Sequence, residues 1–173
     1  MTFDRSGEPL LGYTDWLRAQ WHGYFQDDPQ LLELTVGEHS DGRFGTVGEV
    51  VRHIFGAELR YADRIAGRPV TDVSGVDGSS VDALFALGGR SRDATRQLLS
   101  STSDAEWDEH RTFEIGNFDF VGTAWKIFVH VLVHEIRHWA QLGTLLRLEG
   151  KPRPLHDFLV SPVLGGTFGL GAE

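Results

Sequence analysis

Trp125-Lys126-Ile127-Phe128-Val129-His130-Val131-Leu132-Val133-His134-Glu135-Ile136-Arg137-His138-Trp139-Ala140-Gln141-Leu142 is the stretch that decides the fold. Turned at about 100° per residue, it sets Ile127, His130, His134, His138, Gln141 and Leu145 on one stripe. Trp125, Phe128, Leu132, Ile136, Trp139 and Leu146 make the opposite face apolar as well. A helix apolar nearly all round is expected in the middle of a domain. Three imidazoles on a buried stripe are costly unless hydrogen-bond partners or a metal ion pair with them.

Working outward, Gly122 is read as opening this helix, and Gly150, with Pro152 two residues on, as its stop. Before it, Arg111 to Phe120 alternates around Gly116-Asn117, the pattern of a small hairpin. Upstream, Ser79 to Asp82 caps a third helix that Gly88-Gly89 weakens and kinks. Thr46-Val47-Gly48-Glu49 reads as a capping box, followed by a helix with Val47, Val50, Val51, Ile54, Tyr61, Ala62 and Ile65 on one stripe. Leu10, Tyr13, Thr14, Leu17, Trp21 and Tyr24 mark a first helix ending at Asp27-Asp28-Pro29. Gly37 to Gly45 is a polar loop, Val70 to Ser80 a long connection, and Lys151 to Glu173 a loop-like tail. The expected fold is all-α: a four-helix bundle with a small β-hairpin before the last helix, residues 1–173 forming a single metal-binding domain.

Composition narrows the function. Lys and Arg number 16 against 25 Asp and Glu, a net charge of −9, which argues against nucleic acid and against an anionic membrane. The first ten residues hold Asp4, Glu8 and Pro9 and no apolar h-region, so a cytoplasmic location is expected. There is no cysteine, so any metal relies on His, Asp or Glu.

His134 and His138, at i and i+4, project from successive turns toward one point, the spacing by which one helix gives two ligands to an ion. The third ligand is expected from another helix. His53 and Glu58 on the second helix are the candidates, Glu58 also being open to a role as an orienting partner or as an arginine's ion pair. His130 is read as a pocket residue and Gln141 as a structural polar residue. His22, His39, His110 and His156 receive no role. His134-Glu135-Ile136-Arg137-His138 also fits the metalloprotease pattern H-E-x-x-H, in which the glutamate is the base. The zincin continuations are missing: neither a downstream glycine and third histidine nor a glutamate on a later helix follows. A di-iron bundle needs two E-x-x-H pairs, and only Glu135 with His138 fits.

The segment from His53 through Glu58, an H-x4-E pattern, together with His130-x3-His134-Glu135-x2-His138-x2-Gln141-Leu142-x3-Leu146-Arg147-x2-Gly150, resembles the DinB family of damage-inducible-type four-helix-bundle metalloproteins. Trp139-Ala140 departs from the Arg-Gly frequent there. The resemblance implies that His53, His134 and His138 bind one divalent ion, zinc or nickel, with water in the remaining positions. It also implies a thiol-dependent transferase or a metal-dependent hydrolase acting on a small molecule, and often a homodimer. A low-molecular-weight thiol would come as co-substrate, with Glu135 or Glu58 as candidate base. The competing readings are a non-catalytic structural or stress-response metalloprotein, and a metal-free bundle with satisfied core histidines.

Overall fold

The computed structural model describes residues 7–37 and 42–166, so His39, part of the polar loop and the last residues of the Gly-rich tail lie outside the described residues. Four long helices form the bundle: α1 (Glu8–Asp27), α2 (Val47–Ile65), α3 (Val81–Ser101) and, after a short α4 (Asp104–Asp108) and a hairpin, α5 (Ala124–Leu148). α2 packs against α3 and α5, and α1 closes the ring against the same two helices. No described helix is long and apolar enough to cross a membrane.

Local chemistry accounts for the helix starts. Thr46, Ser80 and Thr123 each stand at an N-cap in extended conformation and accept a hydrogen bond from the backbone N–H three residues on. The box expected at Thr46 is only half made. Glu49 Oε2 accepts instead from Gly45 N at 2.6 Å, one residue before the cap. Gly122 does not open α5; it belongs to the hairpin's second strand, and Thr123 is the cap. α3 runs without interruption through Gly88-Gly89.

The hairpin pairs β1 (His110–Ile115) with β2 (Phe118–Thr123) across Gly116-Asn117, with Ile115 opposite Phe118. Phe113 is its buried member and joins Trp107 of α4 against Phe128 and Leu132 of α5. The larger core lies nearer the other end of α5, where Trp21 and Trp139 stack at 5.0 Å beside Phe55. α5 itself is not buried all round. Lys126, His130, Val133, Arg137, Ala140, Gln141 and Thr144 form a solvent stripe, whose Val133 and Ala140 carry no polar mark in the sequence.

A polar cluster sits inside the bundle, with one buried charged residue from each long helix and the half-buried Asp15 of α1 at its edge, 3.1 Å from Arg92. Arg18 of α1 grips Glu135 of α5 with two bonds of 2.7 and 2.8 Å and also bonds Glu58 of α2. Arg92 of α3 donates to Glu135 Oε2 at 3.1 Å and lies 3.5 Å from Glu58. Ser91 Oγ donates to Glu58 at 2.7 Å, and Trp139 Nε1 to Glu135 at 3.1 Å. Two cations and two anions balance, which is what allows them to be buried.

Candidate metal centre

His53 of α2 faces His134 and His138 of α5, while Tyr61, two turns further along α2, meets His130 at 5.5 Å between ring centroids. The two helices therefore run in opposite directions along this groove. One ring nitrogen from each of His53, His134 and His138 can be chosen so that all three lie within 4.8 Å of one another. His134 Nε2 is 3.1 Å from His53 Nε2 and 3.1 Å from His138 Nε2.

A single imidazole nitrogen has one in-plane direction, holding either a proton or a lone pair, and cannot make two good hydrogen bonds at once. Three lone pairs converging on one point suit a cation instead. Nitrogens each about 2.0–2.1 Å from a tetrahedral zinc lie about 3.3 Å apart, close to the two 3.1 Å separations that His134 makes here. The donor set, three imidazoles and no thiolate, is compatible with a divalent transition-metal ion.

The surroundings prepare the rings. His138 Nδ1 donates to Gln141 Oε1 at 3.0 Å, which leaves Nε2 as the lone-pair nitrogen facing the cluster. Gln141, expected to be only structural, thus orients one of the three rings. Burial, and then the adjacent His138, His53, His130 and Arg137, hold His134 far below the usual imidazole range, at about 3. It is neutral at physiological pH and able to coordinate. Phe44, from the loop before α2, covers the rings at 4.8 Å from His53 and 6.4 Å from His138. Sequence reasoning missed it; a lone aromatic in a polar loop was the available signal.

A family model described as the DinB superfamily matches residues 14–142, a span that contains all three histidines and Gln141. The chain belongs to the DinB superfamily. No curated protein matches it significantly. In this DinB bundle the three histidines form a group compatible with metal binding, and neither Glu58 nor Glu135 joins it.

Those two carboxylates, the candidate bases, lie instead in the buried cluster of this DinB chain, bound by Arg18 and Arg92. Burial favours the neutral form of Glu58, but Arg18, Arg92 and the bond from Ser91 outweigh it and hold its carboxyl below the ordinary range. Arg18 is raised: burial opposes its charge, and Glu135 and Glu58 more than compensate. The metalloprotease reading needs Glu135 beside an ion, whereas its oxygens take bonds from Arg18, Arg92 and Trp139. Arg18 and Arg92 were missed in the sequence, although each is a charge on an apolar stripe. His130, exposed, lines an apolar cavity of about 170 Å³ with Tyr61, Phe118 and Phe120. His22 stacks on Phe85, and His156 bonds the backbone of Pro154.

Proposed function

We propose that the protein is a metal-dependent enzyme whose His53, His134 and His138 hold one zinc or nickel ion, and that it works as a thiol-dependent transferase or a hydrolase. The observation that carries this reading is His134 Nε2, set 3.1 Å from two other ring nitrogens that it cannot both satisfy by hydrogen bonding. Such an ion supplies Lewis acidity, lowering the pKa of a water or thiol that reaches its remaining positions.

The chain's own residues supply the rest. Gln141 fixes the tautomer of His138, burial keeps His134 neutral, and Phe44 shields one side of the rings from water. With no cysteine in the chain, a thiol nucleophile comes as a co-substrate. Proton transfer falls to the substrate or solvent, since Glu58 and Glu135 are held by arginines. The strong net negative charge supports a small-molecule substrate over a nucleic acid.

A structural metalloprotein is the second reading, supported by the placement of the three rings on two different helices, which an ion would staple. Elemental analysis of wild type, His53→Ala and His134→Ala, followed by a screen of thiol and ester substrates, tests both. About one ion per chain in wild type, lost in both variants, with turnover that follows metal content, supports the enzyme. Bound metal without turnover, and a melting temperature that collapses on chelation, supports the staple. No metal in wild type after reconstitution sinks both.

A further inference from the structure

The face of α2 next to the histidines borders a second cavity. A cleft of about 470 Å³ lies between this helix and the connection after it, and His53 and Phe44 are part of its wall. Arg43, Arg52 and Arg60 also line it, and among the described residues Glu49 and Asp72 are its acids. Both acids are already engaged. Asp72 accepts from Ser74 N and Oγ at 2.9 Å each, and Glu49 accepts from Gly45 N and lies 3.6 Å from Arg52. Arg52 additionally donates to the backbone oxygen of Val76 at 3.0 Å.

Arg60 differs from its neighbours. Among the described residues no carboxylate pairs with its guanidinium, although it is only half-exposed. It lies against α2 where Gly56 has no side chain: a Cβ there would stand 3.3 Å from Arg60 Nη1 and 2.7 Å from Val73 Cγ2. Burial and the nearby Arg64 both depress its pKa, as expected for a cation lacking a counter-charge. A guanidinium in such a setting offers a planar fork of donors matched to an oxyanion. In a chain of net charge −9, a partly buried guanidinium with no carboxylate partner among the described residues, in a cleft that the candidate metal ligand His53 also lines, suits an anionic ligand.

We propose that this cleft binds an oxyanion, a carboxylate or phosphate group, on Arg60. The anion is the anchoring end of the substrate or co-substrate of the histidine site, a step that rests on the metal-enzyme reading above. Arg60 follows His53 by seven residues, about 10 Å along the helix axis, so a ligand reaching both is an extended anionic molecule. Arg60 is thereby a specificity-determining residue.

The test titrates the zinc-loaded full chain with sodium succinate and, separately, with inorganic phosphate, at ionic strength held constant with sodium chloride. Calorimetry reads binding, and elemental analysis of the same samples reads zinc. The expected result is saturable binding of one or both anions, weakened at least tenfold in Arg60→Gln and less in Arg60→Lys. It should be unchanged in Arg90→Gln, a substitution at an exposed site on α3, and should survive chelation. The preferred anion tells carboxylate from phosphate. Arg60-dependent binding in a chain that takes up no zinc keeps the anion site and removes the metal reading. No saturable binding, binding indifferent to Arg60→Gln, or binding that disappears on chelation overturns the proposal.

Discussion

At the scale of single residues, two side chains six positions apart on α5 divide the labour. Gln141 acts on the histidine group through a 3.0 Å bond to His138, whereas Glu135, next to His134 in sequence, turns about 100° away into the arginine cluster. Gln141→Ala should therefore weaken metal affinity about 10–100-fold, as loss of a ligand-orienting partner does elsewhere, and leave stability nearly unchanged. Competition with a chromophoric chelator reads that affinity. Glu135→Ala should do the reverse. It strands Arg18 and Arg92 in the interior and should cost about 3–5 kcal/mol in urea unfolding, while the folded fraction keeps its metal. Equal metal loss in Glu135→Ala and His134→Ala would instead put that carboxylate at the ion. Chain spacing alone brought the rings of His134 and His138 side by side, because i,i+4 is a local relation. It could not assign Glu135, whose arginine partners stand 117 and 43 positions away in the chain.

Among the elements, α2 shows why small residues recur where the chain packs most tightly. A Cβ on Gly48 would fall 1.8 Å from the carbonyl oxygen of Gly78, so the first turn of the helix admits the following connection only as glycine. Gly48→Ala should push that connection off the helix and destabilise the fold by about 1–3 kcal/mol, measured by denaturant unfolding. Nothing in the sequence marks this contact, which joins residues thirty positions apart. The hairpin was legible for the opposite reason: alternation of Phe113, Ile115, Phe118 and Phe120 around a two-residue turn is a local pattern, while the register, Phe113 opposite Phe120, came only from the structure. The end of α5 was equally local, with Gly150 in the left-handed conformation just past Glu149. Its start was misplaced by two residues because Gly122 and Thr123 both resemble boundaries, and only strand pairing separates them. The short α4 escaped notice although Ser103 and Glu106 form a complete capping box.

Across the whole molecule, the four-charge cluster joins α1, α2, α3 and α5 through polar groups, so it couples bundle stability to pH. The folded state holds the Glu58 carboxyl below its ordinary value of 4.5, despite burial that pushes the other way. Such a group stabilises the fold fully above the unfolded-state value and loses that contribution as pH falls through 4.5 toward the lower folded-state value. Other groups titrate in the same range, including histidines that release any metal, and a difference measurement cancels them. The comparison is wild type against Glu58→Gln, each with saturating zinc and each without, followed by circular dichroism melts from pH 7 to pH 3. The gap in melting temperature should stay level down to about pH 5.5 and close steadily below 4.5, with the same pH course in both metal states. A gap that follows zinc rather than pH would mean that Glu58 acts through the histidine site on its own helix. A gap that closes with acid whether or not zinc is present would assign Glu58 to the bundle and leave the histidines free to serve chemistry.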